Sequence, residues 1–276
     1  MKPQLLSAIN CDAQILRQLK NKLDAFYITV SDYSAFETPS EQVHCWEHVA
    51  DKIRALTKND GQVKVLEIGA GRSGFGQYLS DKGLRNTCVW TAQDVTRQNS
   101  AWLATNADHV IFGDIESAAI DDSYHIVFST FVLEHVVEPA FHLNTLAGLV
   151  KKEQGTLFIF CPRYDFPGYL VPSSRHLSKL LRLQFVAYSF ISRIKTMVTG
   201  NPVFLIQTDL AAFHQPFFTD ADAVHWASLL DLKCFARQQG AVFNTLKIGN
   251  PTFPSKDWIV KRLLTTGASI QFAAAD

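Results

Sequence analysis

The stretch VKVLEIGAGRSGFG, Val63 to Gly76, decides the fold. Apolar residues lead to an acid, Glu67, and glycines follow at 69, 71 and 74 in the spacing G-x-G-x-x-G. This pattern predicts a buried parallel strand turning sharply into a helix over about residues 75–82. Such a turn needs glycine because glycine adopts positive φ freely and, lacking a Cβ, lets a ligand touch the backbone. The first amides of the helix then favour an anionic group.

Three glycines serve nicotinamide, flavin and S-adenosylmethionine sites alike, so Glu67 carries the discrimination. A carboxylate at the strand tip repels a pyrophosphate. It suits the ammonium of a methionine moiety, whose own carboxylate can face the helix N-terminus. The charge argument therefore points to S-adenosylmethionine, with S-adenosylhomocysteine as the product.

The 276 residues are 47% hydrophobic and 19% charged, the composition of a globular chain with a sizeable core. The formal net charge of zero lacks the basic footprint of a nucleic-acid binder. Cys11, Cys45, Cys88, Cys161 and Cys234 are scattered and form no C-x-x-C, so a reduced cytoplasmic protein is expected. The N-terminus carries Lys2 but no apolar run of signal-peptide length, and no stretch is apolar enough to span a membrane.

Outward from the glycine turn, strands are expected near 87–93, 109–112, 124–129, 155–161, 241–248 and 268–273. The last of these is expected to pair antiparallel beside its predecessor. The fold class is α/β, a Rossmann-like doubly wound seven-stranded sheet with helices on both faces. Expected units are an N-terminal helical cap (1–58), the core (59–161), a helical lid insertion after the fifth strand (162–228), and the C-terminal part of the core (229–276). Helices are expected at 4–26 and 40–56; His44 and His48 share one face of the second, without a third ligand to suggest a metal.

Asp94 ends the second strand twenty residues after Gly74, where a nucleotide fold places an acid on ribose hydroxyls. Asp114, in Gly113-Asp114-Ile115, is placed to accept from an adenine amino group while Ile115 packs on the ring. VLEIGAGRSG, Asp94, Gly113-Asp114-Ile115 and FSTFVLEHV (128–136) together resemble class I S-adenosylmethionine-dependent methyltransferases over roughly residues 40–161. The resemblance implies that Glu67, Gly69 and Gly71 lie along the methionine end, Asp94 on the ribose, and Asp114 with Ile115 at adenine. Ala70, Val95 and Thr130 complete the expected cofactor contacts.

One position departs from related enzymes. Ubiquinone-pathway and small-RNA methyltransferases with a similar leucine-glutamate-histidine stretch carry a further glutamate, used on a divalent metal, where this chain has Phe131. A hard cation loses a charged oxygen ligand there, so no metal is expected.

The insertion begins with Pro162, Pro167, Gly168 and Pro172 and continues as a helix expected over 176–198. Between Phe166 and Thr208 it contains no acid but has Arg175, Lys179, Arg182, Arg193 and Lys195. A lid is the leading reading, and peripheral contact with a membrane surface or an anionic substrate the lesser one. The aromatic and polar run from Phe213 to Trp226 has the composition of a substrate pocket. Arg163, Tyr164, Arg175 and Trp226 are the expected substrate contacts.

Methyl transfer to a hydroxyl is helped by a base that titrates near neutrality, which points to histidine. His135, after the fourth strand, is the first candidate, and His176 and His214 follow. The expected function is methylation of a small molecule, a sugar or specialised-metabolite hydroxyl. N-methylation of a natural product is the nearest alternative, and Asp165, Asp220 and Asp222 keep it open. A nicotinamide-dependent oxidoreductase and a non-catalytic cofactor-binding protein are the alternatives from other classes.

Overall fold

The computed structural model describes residues 3–29, 40–60, 62–118, 120, 122–208 and 222–272. Two strands and two helices precede or open the core: β1 (Leu5–Ser7), α1 (Ala13–Thr29), α2 (Ser40–Asp60) and β2 (Val63–Ile68). Then follow α3 (Phe75–Asp81), β3 (Cys88–Asp94), α4 (Ser100–Asn106), β4 (His109–Phe112), β5 (Ile126–Thr130), α5 (Pro139–Leu149) and β6 (Thr156–Pro162). The chain continues through α6 (Lys179–Thr199), β7 (Leu205–Gln207), α7 (Leu229–Gln238), β8 (Val242–Leu246), α8 (Lys256–Ile259) and β9 (Thr265–Gln271).

Seven strands form one sheet in the order β4-β3-β2-β5-β6-β9-β8. All neighbouring pairs from β4 to β6 are parallel, and β9 is antiparallel to both β6 and β8. The sheet is thus mixed, with the one reversed strand where the alternation of the C-terminal segment places it. Strands β5 and β6 are buried along their whole length, as expected of near-continuous apolar runs covered on both faces.

The two faces have separate cores. On one, Val65, Trp90, Phe128 and Phe160 pack with α2 and α3, where Phe75 contacts Trp46, Trp90 and Phe128 edge-on or tilted. On the other, Leu66, Val127, Ile159 and Ile270 pack with α1, α5 and α7. The expected cap over 1–58 therefore divides: α1 belongs to one core and α2 to the opposite one. Strand β1, within a segment read as helix, pairs antiparallel with β7, Leu6 opposite Ile206. That pairing ties the N-terminal segment to the insertion and has no local signature.

The sheet order reverses between β2 and β5. Open α/β folds bind ligands in the crevice at such a switch point, outside the carboxyl ends of the strands. Register aligns those ends, with Ile68 beside Gln93 and Ser129, and Asp94 beside Phe112.

Candidate active site

The glycine turn leaves β2 at this crevice. Gly69 and Gly71 have φ of +63° and +54°. A Cβ on Gly69 would stand 2.5 Å from Val132 Cγ2, so the β5 loop lies directly over the turn. A Cβ on Gly71 would meet nothing within 4 Å, which leaves open space above that peptide.

The end of β3 braces the turn. Gly69 N donates to Gln93 Oε1 (3.1 Å), Ala70 N to the Gln93 carbonyl (2.8 Å), and Gly71 N to Asp94 Oδ2 (2.9 Å). Gln93 Nε2 donates onward to the Gly113 carbonyl at 2.7 Å. One buried amide thus links three of the loops that form the crevice. Sequence reading passed over Gln93; the available signal was an amide in an otherwise buried strand end.

Glu67 is buried, and Ser73 Oγ donates to its Oε1 at 2.9 Å. Burial raises its pKa to about 8, against the Ser73 hydrogen bond and the neighbouring Trp90 indole, whose N–H lies outside hydrogen-bonding geometry. The carboxyl is therefore largely neutral at pH 7 until a cation arrives beside it. Ser73 Oγ also accepts from Phe75 N at 3.1 Å, so one amide of the short helix α3 is already taken. This narrows the anion site expected at that helix.

Asp94 is buried and accepts at Oδ1 from Thr96 N (2.9 Å) as well as at Oδ2 from Gly71. Burial raises its pKa, against these hydrogen bonds and that of Asn99. Val95, beside it, is exposed at the crevice edge, and Ile115 is buried in the core. Asp114, expected at adenine, has an ion pair to Lys20 on α1, and Lys20 also reaches Glu116 at 3.2 Å. The first helix therefore lies across the loop assigned to adenine.

The same helix reaches the other side of the crevice. Tyr27 OH donates to Asp222 Oδ2 at 2.8 Å, and His135 Nδ1 lies 3.1 Å from that oxygen. Burial would raise the Asp222 pKa, but the His135 imidazole and the Tyr27 hydroxyl outweigh it and hold the carboxyl below its ordinary value. The His135 Nδ1 contact with Asp222 is one of charge and lies outside hydrogen-bonding geometry, and the carboxylate is placed to stabilise positive charge on the imidazole. Thr130, at the end of β5, has a buried Oγ1 without a hydrogen-bond partner.

Other candidates fare differently. His176 and Arg175 are exposed on the turn before α6, and His214 lies outside the described residues. Arg163 Nε donates to Asp165 Oδ1 at 2.9 Å, and Ser228 Oγ donates to Asp165 Oδ2 at 2.9 Å. Tyr164 is buried and stacks on Tyr169, and Trp226, 1% exposed, packs edge-on against Phe185. Trp226 is a core residue, not a pocket wall, and Phe213, Phe217 and Phe218, which with it suggested a pocket, lie outside the described residues. Arg193, read as part of a basic face, is buried against Asp231. His225 is fully buried, with Nδ1 2.9 Å from the Leu133 carbonyl, and burial holds it neutral with a pKa of about 3.

His48 Nε2 sits 2.7 Å from the Lys247 carbonyl, and His44 Nδ1 lies 3.5 Å from Glu47. Among the described residues, no three His, Cys, Asp or Glu side chains gather as a metal site would require. A cavity of about 690 Å³ lies between Leu6–Asp12 and α6, and its lining includes none of the expected cofactor residues.

The sheet order, the reversed strand and the glycine turn at the switch point define the class I S-adenosylmethionine-dependent methyltransferase fold. Solved structures share it. The plantazolicin methyltransferase BpumL in complex with SAH (S-adenosylhomocysteine) is 13% identical, with a TM-score of 0.53 over 94% of this chain and 100% of that one. The plantazolicin methyltransferase BamL, in complex with a triazolic desmethylPZN analogue and SAH, is 14% identical, with a TM-score of 0.52 over 94% and 98%. No family model matches the chain, and no curated protein does.

Proposed function

We propose that the protein is an S-adenosylmethionine-dependent methyltransferase acting on a hydroxyl of a small molecule, a sugar or specialised metabolite. The observation that carries this reading is the His135–Asp222 contact at the mouth of a glycine-lined crevice. The crevice fits the cofactor in two respects: the open space above Gly71 and the unsatisfied Oγ1 of Thr130. The bound SAH in the structurally similar plantazolicin enzymes supports the same assignment.

When bound, S-adenosylmethionine supplies an electrophilic methyl group on a sulfonium, for in-line displacement by the acceptor. Glu67 would hold the ammonium, Asp94 the ribose, and the Gly69–Gly71 backbone the methionine end. The work left to the enzyme is alignment and exclusion of water. Helix α1 serves both, since Lys20 and Tyr27 anchor it on either side of the crevice. His135 takes the hydroxyl proton, and Asp222 steadies the imidazolium that results.

A hydroxyl acceptor is favoured over an amine because two of the three carboxylates that kept amine recognition open are engaged elsewhere. Asp165 is held by Arg163 and Ser228, and Asp222 by Tyr27 and His135; Asp220 lies outside the described residues. The test is an SAH-release screen over hydroxylated and amine acceptors, followed by His135→Ala with the best of them. Turnover should fall by about 10²–10⁴-fold with SAH affinity unchanged. Near-normal turnover removes His135 as the base, and an amine as the preferred acceptor contradicts the hydroxyl assignment.

A further inference from the structure

Helix α6 is amphipathic in the wrong sense for a lid. A helix on a globular protein turns its apolar stripe inward. Here the buried positions are Phe185, Ser189, Ser192, Arg193 and Thr196, four of five polar. The large side chains face out: Leu180, Leu183, Phe190, Ile191, Ile194, Met197 and Val198 are between 41% and 81% exposed. At 100° per residue these seven fall within an arc of about 120°, opposite the buried set.

The inward polar face is held by a buried ion pair and the bonds around it. Arg193 Nη1 pairs with Asp231, Arg193 Nη2 donates to the Trp226 carbonyl at 2.8 Å, and Thr196 Oγ1 lies 3.5 Å from Asp231 Oδ1. The helix is also fastened at both ends, by Ser178 capping Leu181 N and by Gly200 in the left-handed conformation. Its orientation is therefore specified, and the outward apolar face is a built surface. The exposed area amounts to several hundred Å², on the order of the largest patches of ordinary monomers or above them.

We propose that α6 docks this protein on an anionic lipid bilayer, lying flat in the interface. Charge selects this occupant. The segment from Phe166 to Thr208 has no acid, and Lys179 and Lys195 stand exposed beside the apolar face. On the helical projection Lys179 and Lys195 flank the two edges of the apolar arc, where their stems cover apolar surface and their ammonium groups reach lipid phosphates. A second copy of the chain docked on this face would bring cations together with no carboxylate from the helix to meet them. An anionic bilayer supplies the counter-charge, and each cation near it strengthens binding.

Sedimentation of the full-length protein with phosphatidylcholine vesicles, with and without phosphatidylglycerol, tests the proposal. Binding should appear with the anionic vesicles at low salt and weaken about tenfold or more on raising the salt or in Ile191→Glu/Met197→Glu. Both side chains point to solvent, and a circular dichroism melt checks that the variant folds. The salt dependence of the unmodified protein and the variant Lys179→Glu/Lys195→Glu test the charge component without changing the apolar face. Absence of binding at low salt overturns the proposal, and equal binding to pure phosphatidylcholine overturns its anionic component. A concentration-dependent dimer in light scattering, abolished by the same apolar substitutions, assigns the face to a second copy instead.

Discussion

Two buried carboxyls of the crevice respond to pH in opposite senses. Glu67 has a pKa of about 8 in the folded protein against an ordinary value of 4.5. Between those values the folded chain binds more protons than the unfolded one, so its contribution to stability declines as pH rises. A ligand ammonium reverses the balance by favouring the carboxylate. Calorimetry with SAH at about pH 6.5, in buffers of different ionisation enthalpy, should therefore show proton release that Glu67→Gln abolishes. Unchanged proton linkage in that variant removes Glu67 from the ammonium. Asp222 behaves the other way: its depressed pKa makes its contribution complete above the ordinary carboxylate range and lost as pH falls through the folded value. The positions of Glu67 and Asp94 towards the carboxyl ends of β2 and β3 were legible in the sequence. The Tyr27–Asp222–His135 contact was not, because its members lie 195 and 87 positions apart along the chain.

Among the elements, those announced by local pattern formed close to their expected bounds. Strands β2, β3, β4, β5 and β6 are short apolar runs ended by turns, and a doubly covered sheet calls for just such runs. Strand β1 formed against expectation, because its partner β7 is some two hundred residues away and only that pairing gives Leu5–Ser7 an edge to join. Helix α4 was passed over because SAWLATN buries only Leu103 and carries almost no periodic signal. The insertion helix was legible as a helix, but its orientation was not, since that depends on a buried ion pair invisible in the sequence. Arg193 meets Asp231 of α7, whose carboxylate also accepts from Val203 N at 3.0 Å and Phe204 N at 3.2 Å. Asp231→Ala strands a buried guanidinium and two amides. It should cost about 3–5 kcal/mol in denaturant unfolding, more than a surface ion pair contributes. A loss below about 1 kcal/mol contradicts the view that this pair fixes α6.

For the molecule as a whole, the seven-stranded sheet gathers its loops at one edge, and α1 closes that edge from Asp114 to Asp222. The methyl transfer proposed here disperses charge and calls for no Lewis acid. Phe131 offers no charged oxygen to a cation, and its backbone at φ +57° belongs to the β5 loop that covers the glycine turn. Exhaustive chelation should leave turnover unchanged; activity lost to a chelator and restored by magnesium contradicts this. Among the described residues no helix is long and apolar enough to cross a membrane.

The electrostatic choice proposed at Glu67, an ammonium in preference to a diphosphate, underlies the proposed function. Isothermal titration of the purified chain with S-adenosylmethionine, SAH and a nicotinamide dinucleotide measures it directly. Saturable one-to-one heat with the first two and none with the third is the predicted result. Heat from the dinucleotide alone, or from none of the three, contradicts the account.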